Sequence, residues 1–281
     1  MKIQTRLRLA SRDYGRARED LTVRQLSSKR EGWGLSGGRM EFPNKPSITV
    51  KNLTMDEEGR VLLVHERYME TKPVSGEKTL EEALMDMENL IARLQSKGSD
   101  ITWAQVGQVL DEGIPKIQRI FDFRKWFSGN YEGERKLNPG LVQDWDPNSE
   151  TVKILLTAIR EELEETGLLI WPEVVSEFPS PDRMHKLVVC RTLKVEAGRL
   201  KRESQEIKET EWVSPENFRM SDKEAEENKE DVERATTMYH SHKFFYLPRA
   251  FQVLLERGVQ FPNRDEIQTF IESCKRFNPA L

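Results

Sequence analysis

Apolar positions change their period along the chain, and each change marks an element. Ile48-Thr49-Val50-Lys51-Asn52-Leu53 alternates, Asp56-Glu57-Glu58-Gly59 supplies a turn, and Val61-Leu62-Leu63-Val64-His65 is an apolar run suited to a buried strand. The pattern predicts a hairpin over 48–66. From Leu80 the period lengthens to that of a helix, with Leu80, Leu84, Met87, Ile91 and Leu94 on one side and Gly98 as the stop. Thr79-Leu80-Glu81-Glu82 has the form of a capping box, in which hydroxyl and carboxylate satisfy the amides of a helix start. A second helix is predicted from Thr102 to Glu112, and a third from Pro115, with Ile117, Ile120, Phe121 and Phe127 on one side. Residues 69–135 therefore read as a mostly helical insertion.

The next helix is predicted over 151–166. Leu187-Val188-Val189-Cys190, Leu193-Lys194-Val195 and Glu211-Trp212-Val213 read as strand, and Ser214 to Phe218 as a helical turn. Beyond Asp231 there are two amphipathic patterns, one at Phe251, Leu254 and Leu255, the other at Ile267, Phe270, Ile271 and Cys274. Ahead of the hairpin, weak alternation at Ile3–Leu9 and Leu21–Leu26 suggests edge strands, and the glycines of 32–39 suggest a loop. The organisation expected is a basic N-terminal segment (1–47), an α/β core (48–68 and 136–218), the helical insertion (69–135), and an acidic linker with C-terminal helices (219–281).

Composition narrows the class. The chain has 281 residues, 44 Lys and Arg against 48 Asp and Glu, and a net charge of −4, so long nucleic acid is a disfavoured partner. No apolar run is long enough for a membrane helix. The first 30 residues hold nine Arg and Lys, but Asp13, Glu19 and Asp20 among them argue against a transit peptide. Cys190 and Cys274 are the only cysteines and neither has a CxxC partner, which argues against a disulfide framework and fits a cytoplasmic setting. Residues 203–233 carry 12 acids against 4 bases and read as a solvated surface.

The informative chemistry lies in Arg160-Glu161-Glu162-Leu163-Glu164-Glu165-Thr166-Gly167-Leu168. On a helix, Glu161, Glu164 and Glu165 fall within about 100° of one another, while Val152, Leu155, Ile159 and Leu163 occupy the opposite side. Like charges at i,i+3 and i,i+4 repel, and carboxylates near a helix C-terminus oppose the macrodipole. A hard divalent cation, Mg²⁺ or Mn²⁺, would remove both objections. The plain alternative is the solvated face of an ordinary amphipathic helix.

This segment resembles the rear half of the Nudix box, Arg-Glu-apolar-any-Glu-Glu-any-Gly-apolar. Arg160, Glu161, Glu164, Glu165, Gly167 and Leu168 match, and Glu162 departs, since an apolar residue is usual there. The front half fits less well. Gly140 is the nearest glycine in position, with 19 residues between it and Arg160 where the pattern has 13. Trp33-Gly34-Leu35-Ser36-Gly37-Gly38-Arg39-Met40-Glu41 has the better letters, resembling the family's approach to the box, but it precedes the hairpin where the family's glycines follow it. The runs 61–67 and 206–216 are similar to the strand before the box and to the family's closing strand and helix.

The resemblance implies an α/β/α sandwich with a mixed sheet. It also implies Mg²⁺-dependent hydrolysis of a nucleoside diphosphate linked to another group, a small-molecule substrate. Glu161, Glu164 and Glu165 would hold the metal, and Arg160 would orient a carboxylate. Glu206 and Glu209 are candidates for a further carboxylate, and Glu164, Glu165 and Glu206 for the general base. Arg67 and Arg39 could clamp phosphates, with exposed surface arginine as the plain alternative; Trp33 and Trp145 could stack a base, with ordinary core or interface packing as the equal alternative; and the insertion or the N-terminal segment could set substrate choice or form a homodimer. His65, His185, His240 and His242 are scattered and carry little metal signal. Two rival readings are a Nudix-like nucleotide-binding module without catalysis, and a helical interaction protein whose glutamates are coincidental.

Overall fold

The computed structural model describes residues 33–40, 47–66, 80–98, 100–113, 150–179, 185–198, 207–218 and 246–275. In chain order these form β1 (Trp33–Gly34), β2 (Arg39–Met40), β3 (Ser47–Leu53), β4 (Val61–Glu66), α1 (Leu80–Ser96) and α2 (Trp103–Gly113). Then follow α3 (Glu150–Thr166), β5 (Leu168–Pro179), β6 (His185–Gly198), β7 (Ile207–Val213), a 3-10 turn (Pro215–Phe218), α4 (Leu247–Glu256) and α5 (Arg264–Cys274). The fold is mixed α/β. The predicted third helix from Pro115, the Thr79 cap and the N-terminal edge strands lie outside the described residues. None of the described helices is long and apolar enough to cross a membrane.

Two sheets organise the chain. One is antiparallel, in the order β1-β4-β7; the other is mixed, in the order β2-β3-β6-β5, with β3 and β6 parallel. This corrects the hairpin. Both of its strands exist, and its tip closes as expected, with Met55 bridging Val61 and the Leu62 amide donating to the Thr54 carbonyl at 2.9 Å. Beyond the tip, however, β3 and β4 diverge into different sheets. Alternation reports that a strand has two unlike faces and does not name its neighbour.

The 32–39 stretch, expected to be loop alone, is likewise bracketed by strand. Trp33 and Gly34 pair with His65 and Val64, and Arg39 and Met40 pair with Thr49 and Ile48. The glycines between them carry the chain from one sheet to the other. Strand β5 is not among the predicted elements, and Pro172 lies within it. As an edge strand it tolerates a residue without an amide hydrogen, and its pairing to β6 shifts register beside that proline.

Both faces of the mixed sheet are buried. Ile48, Val50, Val188 and Cys190 meet Ile154 and Ala158 of α3, while Leu53, Leu187 and Val189 point the other way, into a core with Phe251, Leu254, Phe270 and Ile271 of α4 and α5. On the α3 side, α1 and α2 complete a third cluster, where Met87, Ile91, Val106 and Leu110 join Leu155, Ile159 and Leu163. Helix α3 thus sits between the sheet and the two helices of the insertion. Twelve of its 17 residues are buried.

Candidate functional site

The C-terminal half of α3 carries the acidic segment, and Gly167, at φ 76°, ends it with the left-handed turn that glycine adopts without strain. Sequence periodicity placed Glu161, Glu164 and Glu165 on one open side. The structure corrects this picture, because a second segment lies across that side. The 36–38 turn reaches α3 from more than a hundred residues away. The Gly37 amide donates to Glu165 Oε2 at 2.9 Å, and Glu165 is buried. A Cβ added to Gly38 would fall on the Glu161 carboxylate. Gly37 has φ 147°, and a Cβ there would run into the Val50 carbonyl. Both glycines are therefore required by close approach, one to the helix and one to β3.

Three carboxylates near a helix C-terminus need cations. Arg160 supplies one, pairing with Glu161 and lying 3.5 Å from Glu164. Arg93 of α1 stands 4.0 Å from Glu164 on the other side. Side-chain exposure separates the three: Glu161 keeps 13% and Glu164 30%, while Glu165 is sealed beneath the turn. Glu164 is thus the member most open to solvent and to a ligand.

Glu162 was singled out in the sequence only as a mismatch. In the structure it is fully buried and gathers hydrogen bonds from three places. Ser36 Oγ and Asn52 Nδ2 donate to its Oε2, the latter at 3.0 Å, and Thr54 Oγ1 donates to Oε1 at 3.0 Å. Asn52 uses its second amide hydrogen on the Ala158 carbonyl at 2.9 Å, and its Oδ1 has no partner among the described residues. Burial pushes the Glu162 carboxyl above the ordinary carboxylate range, and bonds from Ser36, Thr54 and Asn52 pull it back. The one sequence signal for this cluster was a charge at a position expected to be apolar. Its partners, small polar residues in a turn and at a strand end, carry no signal of their own.

The remaining expected residues separate. Gly37-Gly38 is the glycine pair that meets the helix among the described residues; Gly140 lies outside them, as do Arg67, Trp145 and Glu206. Arg39 belongs to β2, directly after the turn. Trp33 is corrected. It is only 4% exposed, and its ring stacks on His65 with centroids 5.0 Å apart, so it is a core residue rather than an open platform for a base. A large ring beside glycines in a polar stretch looks available in sequence, but β1 pairs with β4 and turns that ring inward. Glu209 lies opposite His65 in the β4–β7 ladder, 3.2 Å from its Nδ1.

The donor set tests the cation reading. Three carboxylates offer hard oxygen ligands, which suit Mg²⁺ or Mn²⁺ chemically. Among the described residues, no group of three acidic, His or Cys side chains is gathered as a metal site, and Arg160 spans two of the glutamates. Comparison with protein-family models, with curated proteins and with solved structures gives no match to this chain.

Proposed function

We propose that the chain is a Nudix-type diphosphohydrolase, cleaving the pyrophosphate of a nucleoside diphosphate linked to another moiety. The observation that carries this reading is the junction of Gly37-Gly38 with Glu161 and Glu165, beside Arg160. These letters resemble two segments of the family's motif, separated here by more than a hundred residues and placed differently about the hairpin, yet in contact. Coincidence of composition would give an acidic helix but no reason for the glycine turn to lie on it. Helices on both faces of a mixed sheet support the sandwich that the resemblance implies.

Glu161, Glu164 and Glu165 are the residues that would hold Mg²⁺. A bound cation of this kind neutralises the charge of a pyrophosphate and lowers the pKa of water. The chain's own residues divide the remaining work. Arg160 restrains Glu161 and Glu164 by charge-assisted contacts. The Gly37 amide orients Glu165. Glu164, with the most exposed carboxylate of the three, is our choice of general base. It would take a proton from the water that adds to phosphorus as the bridging P–O bond breaks.

A second reading is a nucleotide-binding module without turnover. It is favoured by the Arg160 bridge and by carboxylates that are not gathered into a metal group. Incubation with ADP-ribose, dinucleoside polyphosphates, NAD(H), capped RNA and deoxynucleoside triphosphates, with and without Mg²⁺, separates the two. The hydrolase reading expects Mg²⁺-dependent phosphate or nucleotide release from at least one of them. Thermal stabilisation by a nucleotide with no product from any of them would establish the second reading.

A further inference from the structure

We propose that Glu162 is a positioning residue, the buried tie through which Ser36, Asn52 and Thr54 fix the glycine turn on α3 and so set the height at which Gly37 meets Glu165. Ser36 belongs to the turn, Asn52 to β3, Thr54 to the chain just beyond it, and Glu162 to α3. One carboxylate therefore ties to α3 the turn, β3 and the chain just beyond it, all of them 108 to 126 residues from Glu162 in sequence. The turn is already laddered to β3, since the Asn52 amide donates to the Ser36 carbonyl and the Val50 amide to the Gly38 carbonyl, each at 2.8 Å. Turn and strand thus move as one body, and what must be fixed is that body against the helix.

An apolar side chain at 162 would fill the volume but supply no direction, because dispersion contacts tolerate sliding that hydrogen bonds do not. Glu162 supplies direction at both oxygens. Asn52 doubles the tie by holding the Ala158 carbonyl, one helical turn earlier. Thr54 extends it to β6 through Thr192, with the two hydroxyls 2.7 Å apart. The neighbours of Glu162 on the helix are the glutamates that touch the turn. A shift of the turn by a fraction of an ångström would break the Gly37–Glu165 bond and drive Gly38 into or away from Glu161. The consequence for metal affinity rests on the hydrolase reading; the tie itself does not.

The test uses the full chain with Glu162→Leu, Glu162→Gln, Ser36→Ala and Thr54→Val. Hydrogen exchange of the Gly37 amide is compared with that of Ile159, inside α3. Glu162→Leu is expected to abolish Gly37 protection selectively, and Glu162→Gln, which keeps both heavy-atom positions, to restore most of it. An equal change at Gly37 and Ile159 would show general destabilisation and overturn the proposal. If Glu162→Leu does not fold, Ser36→Ala and Thr54→Val decide by the same comparison. Mn²⁺ binding, followed through the spectrum of the free ion, gives the second readout. Loss of a residue that supports metal ligands weakens affinity by about tenfold or more, and that is expected for Glu162→Leu well below its melting temperature. Wild-type protein that binds no Mn²⁺ but loses Gly37 protection selectively on Glu162→Leu would sink the metal reading and leave the tie standing.

Discussion

Two adjacent glycines carry different burdens, and substitution distinguishes them. Gly38 has an ordinary backbone, but its missing Cβ leaves room for the Glu161 carboxylate. Gly38→Ala is therefore expected to fold with little loss of melting temperature while displacing Glu161 and, under the proposed function, to cut Mg²⁺-dependent turnover by at least about tenfold. Full activity in that variant would show that the turn does not set the glutamates. Gly37→Ala meets backbone instead, at a φ that L-residues rarely adopt, and should cost on the order of 1–3 kcal/mol in a urea melt. At this scale the placement of Arg160, Glu161, Glu164 and Glu165 on one helix was legible in the sequence, because helical spacing is set locally. Trp33 and Glu162 were not, because whether a side chain is exposed depends on what packs over it. The Gly37-Gly38 pair stood between: its letters resembled the family's approach to the box and it meets α3, while position in the chain argued for Gly140, which lies outside the described residues.

Helix α3 is the element on which the site is built, and its burial explains how it can carry three carboxylates in its last turns. Ile159 and Leu163 are wholly buried beside α1 and α2. Ile159→Ala should destabilise the protein by about 2–5 kcal/mol, since the surrounding helices cannot close the cavity fully. A loss below about 1 kcal/mol in denaturant melts would mean that this face is not the core. Helix α2 illustrates how far local signals reach. Its start was placed at Thr102, and the structure adds the reason: Thr102 Oγ1 accepts from the Gln105 amide, while Gln105 Oε1 accepts from the Thr102 amide at 2.8 Å, a reciprocal cap. Both members lie within four residues, so such features are readable. Strand pairing is not local. The chain between β3 and β4 has every mark of a hairpin, and only the competition of β2, β6, β1 and β7 for their edges separates the two strands.

Among the described residues, α3 with α1 and α2 covers one face of the mixed sheet and α4 and α5 cover the other, and α1 and α2, read as part of an insertion, belong to the core. Replacing residues 76–130 by a short Gly/Ser linker would uncover Leu155, Ile159 and Leu163, which α1 and α2 now cover. The trimmed protein is expected to lose its cooperative thermal transition. A folded trimmed protein would show that the layer only decorates the surface.

Alkaline stability reports on the face of the mixed sheet that packs on α3. Burial, with a smaller contribution from the charge of Glu173, pushes the Cys190 thiol up from 9.0 to about 12. Because the folded value is raised, the stability it contributes is complete below pH 9 and falls as pH rises through 9 to 12. Wild-type protein should therefore lose roughly 1 kcal/mol more than Cys190→Ala between pH 8 and pH 10. Parallel losses in the two proteins would contradict a buried, protonated thiol.

Under the proposed function, the α3 glutamates support metal-dependent cleavage of a nucleoside pyrophosphate bond. The most direct test is product release from the nucleotide panel by wild-type protein and by Glu164→Gln, each with and without Mg²⁺. The substitution removes charge while leaving shape nearly unchanged. Wild-type protein should release phosphate or nucleotide from at least one substrate only when Mg²⁺ is present, and Glu164→Gln should be inert with an unchanged circular dichroism spectrum. Turnover by Glu164→Gln within about threefold of wild type, still requiring Mg²⁺, would contradict the account.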